Sequence, residues 1–243
     1  MDTRLAMQIA PKGVLRASIN LGNPVLANAG NSGSDPRGIS VELARALAGR
    51  LGLALQPIVV ESAGKSVDLV AKGAADIGFF ALDPLRAAQI RFTAAYVWIQ
   101  GCYLVQNNAQ IHAIEEVDRP GRRVVVGKGS AYDLYLTREL KRATIERAKT
   151  SPTVVDEFLR VGADVAAGVR QQLEADTERF PGLRLLPGNF MVIEQAMGIP
   201  SERSDAALAF VRQFVEDMKA DGFIDRALKR HGISGAQVAP ASS

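Results

Sequence analysis

The chain has 243 residues, 47% of them hydrophobic and 23% charged, with a net charge of +3. Those figures are ordinary for a globular protein, and the length suffices for one large α/β domain or two small lobes with a substantial core. Scattered Lys and Arg with only 6% aromatics exclude a nucleic-acid footprint, which needs a clustered basic face and stacking rings. A single cysteine, Cys102, excludes an internal disulfide and a cysteine-based zinc site. Its apolar neighbours, Gly101 to Val105, assign it to packing. Two histidines, His112 and His231, offer little to a metal site or a catalytic triad, so neither metal nor cofactor is expected. No apolar run reaches the roughly 18 residues of a membrane span. The N-terminus, MDTRLAMQIAPKG, lacks the apolar core of a secretory signal. A removed signal and a protein made without one both stay open, and with them a periplasmic or a cytoplasmic location.

Taken in order, Val14 to Asn20 reads as a first strand. A Gly/Pro/Asn-rich loop follows from Leu21 to Gly38, suited to a surface excursion or a cleft rim. Ser40 to Leu47 shows helical spacing, with Ser40 as N-cap and Gly52 near the stop. Ala54 to Glu61 is a strand, Gly64 to Lys72 a short helix, and Ala75 to Ala81 a strand. This β-α-β-α-β order predicts a mostly parallel sheet covered by helices. The apolar run ends at Asp83-Pro84, and a helical turn carries Arg86. A β-like segment, Ile90 to Thr93, closes on Ala95-Tyr96, and Val97 to Gln106 is a longer one. Apolar residues on both sides of a lone Arg suggest a guanidinium held at a strand end, over a cleft. Its planar fork of donors matches a carboxylate. An exposed turn is the ordinary alternative for such an Arg.

After Asn107-Asn108 the pattern restarts. Arg122 to Gly127 is a strand, Ser130 to Arg142 an amphipathic helix, and Thr144 to Ala148 a strand. Pro152 to Val161 is a helix capped by Ser151, and Ala163 to Gly168 is a strand. A second compact β/α unit therefore occupies residues 107–189. Phe190 to Ile199 is another strand, Asp205 to Lys219 a helix with Leu208, Val211, Phe214, Val215 and Met218 on one face, and Ile224 to Arg230 a final helix. The polar tail ending Ala-Pro-Ala-Ser-Ser reads as disordered.

Several segments, in this order, resemble the bacterial extracellular solute-binding proteins of family 3, the amino-acid-type receptors of ABC importers. They are GVLRASIN, GISVELARALAGRLG, KGAADIGFFALDPLRAAQIRFTAAY, VVVGKGSAYDLYL and MKADGFIDRALKRHGI, spanning roughly residues 13–232. The resemblance implies an α/β, two-lobed type II periplasmic-binding fold. Lobe one is then 1–106 plus 190–243, lobe two is 107–189, and two crossover strands join them around a trapped ligand. It places the carboxylate-gripping Arg on Arg86, with main-chain groups around Ala81 to Asp83 taking the ligand's polar atoms. The second lobe's anion site falls on Gly129, Ser130 and Ala131. Ser130 and Ala131 open a helix, where unpaired N–H groups and the dipole favour an anion; a simple cap is the alternative role for Ser130. The resemblance further implies an ABC permease as partner, no enzymatic activity and a monomer.

Two departures bear on the ligand. Asp83 stands where the family has Thr, either repelling a second anion or serving only as an N-cap for the Pro84 turn. The strand end Ala166 to Arg170 offers Arg170 where amino-acid binders place an Asp for the α-ammonium. An unpaired buried ammonium is costly, so the expected ligand is a carboxylate that need not be an α-amino acid, with a second anionic or carbonyl group facing Arg170. Glu194 is the reserve ammonium partner. Asn20 and Asn23 match first-strand ligand positions, although loop hydrogen bonding explains them equally well. Lys65, within Gly64-Lys65-Ser66, and Ser62 stand at a helix start that would line the cleft. The Gly that a P-loop needs five residues before Gly64 is Val59 instead, which argues against nucleotide binding. Tyr132, Phe80, Tyr96 and Trp98 are candidate aromatic walls, and Lys128 adds positive potential. Two other functions compete: a cyclohexadienyl-dehydratase-like enzyme using Glu61, Asp83 or Glu194, none with an evident base partner, and a ligand sensor.

Overall fold

The computed structural model describes residues 3–30 and 35–242. Positions 31–34 of the Gly/Pro/Asn-rich loop, the first two residues and Ser243 lie outside the described residues. The chain divides into two compact units, Met1–Trp98 with Glu194–Ser243, and Ile99–Ile193. The divisions fall inside the two long strands rather than at their ends, where the sequence put them. The reason is pairing: from Gly101 onward the first of these strands is laddered to strands of the second unit.

In the first unit, a short helix α1 (Thr3–Ile9), which the sequence reading did not anticipate, precedes β1 (Val14–Asn20). Strand β1 pairs in parallel with β2 (Ala54–Val60), Val14 opposite Ala54, and the helix α2 (Ile39–Leu51) lies between them in sequence. Ser40 is not the cap of α2. Gly38 holds that position at φ 127, and a Cβ there would meet the Leu26 carbonyl oxygen at 2.3 Å, so only glycine fits. Gly52 ends the helix in the left-handed conformation, as its sequence position suggests. Helix α3 (Ala63–Ala71) is capped by Ser62, and β3 (Gly78–Ala81) follows. β3 runs antiparallel to β9 (Met191–Pro200), with Ala81 opposite Gln195, and Ile77 forms a parallel bridge with Ala17.

Helices α8 (Asp205–Ala220) and α9 (Phe223–Arg230) complete this unit, α8 burying the five apolar residues that its periodicity singles out. The tail is tied down: β10 (Gln237–Val238) pairs with Trp98 and Val97, and Lys219 Nζ donates to the Pro240 carbonyl at 2.8 Å. Beneath β1, Arg16 and Asp76 form a buried pair, with Nε–Oδ2 3.0 Å and Nη2–Oδ1 2.6 Å. Arg203 joins them at 3.1 Å.

The segments read separately as 90–93 and 97–106 are one strand, β4 (Ile90–Gln106), which crosses from the first unit into the second. In the second unit, β5 (Arg123–Gly127) pairs in parallel with both β6 (Thr144–Ala148) and β7 (Val165–Val169), and β7 lies antiparallel to β4. Helix α5 (Ala131–Glu139) stops before Arg142, because Leu140 turns extended and the Asp118 carboxylate collects the amides of Lys141, Arg142 and Ala143. The expected cap at Ser151 is instead a 3-10 turn, Ser151–Thr153, leading into α6 (Val154–Val161). Helix α7 (Arg170–Arg179) and β8 (Leu183–Leu185) were not anticipated. One core of this unit joins Cys102, Leu104, Val125, Val155, Phe158 and Leu173. Cys102 is buried there with a free thiol.

Candidate functional site

In the first unit the site is built where β3 ends. The helix α4 (Pro84–Ala87) starts at once, with Pro84 in its first turn and Asp83 as N-cap, its Oδ1 accepting the Leu85 amide at 2.9 Å. Asp83 therefore acts as a cap, one of the two roles its sequence position allows. The turn swings Arg86 back under the strand end, where Nη1 donates to the Ala81 carbonyl at 3.2 Å. Arg86 is only 4% exposed, so the exposed-turn alternative does not hold. Burial pulls its pKa down to about 10, with the charge of Asp83 acting in the opposite direction. The group stays a cation at neutral pH. Ala81 and Asp83 are buried beside it, and the Leu82 amide donates to the Glu194 carbonyl at 2.8 Å.

Other first-unit candidates face elsewhere in their bonding. Asn20 ends β1 and its Oδ1 accepts the Gly22 amide at 2.8 Å, a local turn of the kind Asn favours. Asn23 takes the Leu26 and Ala27 amides on its main-chain oxygen. Lys65 is exposed and its Nζ meets Glu61 Oε2 at 3.0 Å, so that charge is matched on the surface. Glu194 is exposed, and strand alternation sends its side chain to the face opposite that of Gln195. Phe80, Tyr96 and Tyr132 are core residues rather than walls.

In the second unit β5 ends at Gly127 and α5 begins at Ser130. Gly129 adopts φ 71 between them, a conformation suited to glycine. Ser130 caps the helix, its Oγ accepting the Asp133 amide at 3.0 Å. Asp133 reaches back to accept the Gly129 amide at 2.8 Å, and Arg147 and Thr137 hold its carboxylate from the other side. The Gly129 N–H named for an anion is thus occupied by an internal carboxylate. The first-turn amides of Ala131 and Tyr132 are those an α-helix leaves without an intrahelical acceptor. Arg170 opens α7 and is committed inside its own unit. Its Nε donates to Gln100 Oε1, its Nη2 donates to the Gly188 carbonyl at 2.8 Å, and Glu174 lies 3.7 Å from Nη1. Cys102 Sγ shares the Gly188 carbonyl at 3.4 Å, and burial pushes its thiol up to about 11.

Two residues escaped the sequence reading. Asp133 could have been found, since Ser130-Ala131-Tyr132-Asp133 has the spacing of a capping box. Gln195 shares the strand parity of apolar Ile193 and Met197, a cue that it points inward. Among the described residues no group of three or more His, Cys, Asp or Glu is placed to hold a metal ion, and no helix is long and apolar enough to cross a membrane.

Two α/β units threaded by two shared strands, with a buried Arg after the third strand, define the type II periplasmic-binding fold. Solved structures agree. The solute receptor for L-cysteine of Neisseria gonorrhoeae superposes with a TM-score of 0.81 at 21% identity, covering 95% of this chain and 94% of that one. A mutant of ArgBP from T. maritima gives 0.79 at 18% identity, covering 94% and 99%. The ancestral amino acid-binding protein AncCDT-1, a precursor of cyclohexadienyl dehydratase, gives 0.77 at 19% identity, covering 93% and 97%. At these identities the likeness is one of fold. Among curated protein sequences none matches significantly. The family model of bacterial extracellular solute-binding proteins, family 3, matches residues 22–233, and the chain belongs to that family.

Proposed function

We propose that this protein is the solute receptor of an ABC importer, working outside the cytoplasmic membrane, and that its ligand is a small carboxylate held by Arg86. One observation carries the reading: a guanidinium 4% exposed at the end of β3, still cationic at neutral pH. A planar guanidinium fork at a strand end matches a ligand carboxylate, with which it forms two parallel bonds. Membership of the solute-binding family supports the transport role.

The ligand need not be an α-amino acid. Strand β7 ends at Val169 and Arg170 without a carboxylate, and Asp133 is already spent on Arg147, Thr137 and the Gly129 amide. The names of the solved relatives carry L-cysteine and arginine ligands, so an amino acid is the competing ligand class. An enzymatic role finds less support. Glu61 is paired with Lys65 on the surface, Asp83 caps α4, and Glu194 is exposed. Native mass spectrometry of the purified protein, followed by calorimetry with simple organic acids and with amino acids, tests the reading. Tight binding of an organic acid is expected. Binding confined to amino acids would overturn the ligand class.

A further inference from the structure

Gln195 is 4% exposed, yet its side-chain amide makes no hydrogen bond with any described residue. Several, though not all, of the other buried polar side chains of the same unit are matched. Arg16 pairs with Asp76, Ser18 Oγ lies 2.7 Å from Ser66 Oγ, and Thr93 Oγ1 donates to the Ala94 carbonyl while accepting the Met197 amide. An amide brings two donors and an acceptor, and at Gln195 none of them is taken up by a described residue. Such a residue needs an explanation beyond packing.

Its position supplies one. Gln195 stands directly across the β3–β9 ladder from Ala81. Residues opposed in this way send their side chains to the same face, with Cβ atoms about 5 Å apart. The Ala81 side chain is a single methyl and offers the Gln195 amide no hydrogen-bond partner. The Ala81 carbonyl is also the acceptor of the Arg86 guanidinium. Amide and guanidinium therefore flank one residue at one strand end. Glu194, which the sequence offered as the polar group of this strand, points to the other face.

We propose that Gln195 is a specificity-determining residue, its amide hydrogen-bonding a hydroxyl or carbonyl oxygen on the same ligand whose carboxylate Arg86 holds. The ligand class is then a hydroxy- or oxo-substituted carboxylic acid. This rests on the carboxylate reading above and narrows it.

The test uses calorimetry on the full chain with matched probes: L-lactate against propionate, and L-malate against succinate. The wild type prefers the hydroxylated acid of a pair by about tenfold, the equivalent of one well-made hydrogen bond. Gln195→Met, similar in length and without the amide, brings that preference to about twofold or less. Its ligand-free melting temperature stays level, because no hydrogen bond within the protein is lost; a structural glutamine would lower it. Gln195→Glu keeps the shape, so it serves if the Met variant is poorly folded, and it weakens the hydroxy acid by at least about tenfold through repulsion and loss of the donor. A preference unchanged in Gln195→Met, in a protein that still binds acids through Arg86, overturns this inference alone. A wild type that binds no acid of the set overturns the carboxylate reading, and this inference with it.

Discussion

Replacing Asp76 by alanine tests the electrostatic anchor of the first unit. The Asp76 side chain is fully buried and that of Arg16 is 8% exposed, so solvent does little to screen the pair. Oδ2 also accepts the Arg16 amide at 3.0 Å, and Oδ1 takes Arg203 Nη2 at 3.1 Å. Two Arg16 donors remain bonded to the Ala74 and Gly73 carbonyls after the change, but two guanidinium charges lose their counter-ion. Breaking a buried pair from one side costs about 3–5 kcal/mol. At roughly 2–4 °C per kcal/mol for a chain of this length, melting should fall by about 6–20 °C. Differential scanning calorimetry reads the shift in the transition that contains the first unit. The combined change Arg16→Met, Asp76→Leu and Arg203→Met should lose far less, since it leaves no charge stranded. A fall under about 2 °C in Asp76→Ala would refute the reasoning.

Two further outcomes follow from the same structure. Ser130→Ala removes the cap of α5 and should lower stability by about 1 kcal/mol in urea unfolding. Glu42 is pushed up by burial, but hydrogen bonds and charges from Arg230 and His231 outweigh this and hold it below its ordinary value of 4.5. A depressed folded pKa contributes stability that is fully present above 4.5 and is lost as pH falls through the folded value. The melting difference between wild type and Glu42→Gln should therefore be widest near neutral pH and close as the solution is acidified below about 4.5, as thermal scans across pH would show.

The strands were largely legible in the sequence, because β1, β5 and β7 are short, mainly apolar runs bounded by glycine or loop residues. The helix α7 was not: RQQLEADTER offers Leu173 as its one apolar anchor, and no periodicity can show on a single residue. Tail order was equally hidden, since it depends on long-range pairing of Gln237 and Val238 with β4. Arg86 could be singled out because a lone charge between apolar segments is conspicuous. Bonding partners could not be read, and they changed the standing of Lys65, Arg170 and Gly129, whose polar groups meet Glu61, Gly188 and Asp133. Gln195 went unnoticed because a polar residue in a strand looks solvent-facing until its opposite number, Ala81, is known.

The most direct test is ligand-induced thermal stabilisation in wild type and Arg86→Ala, using the acid that binds best. At a hundredfold excess over Kd, binding contributes about 2.7 kcal/mol, or roughly 5–11 °C for a chain of this length. The account predicts that this shift appears in the wild type and vanishes in Arg86→Ala, while circular dichroism shows the variant still folded. An equal shift in both proteins would contradict it.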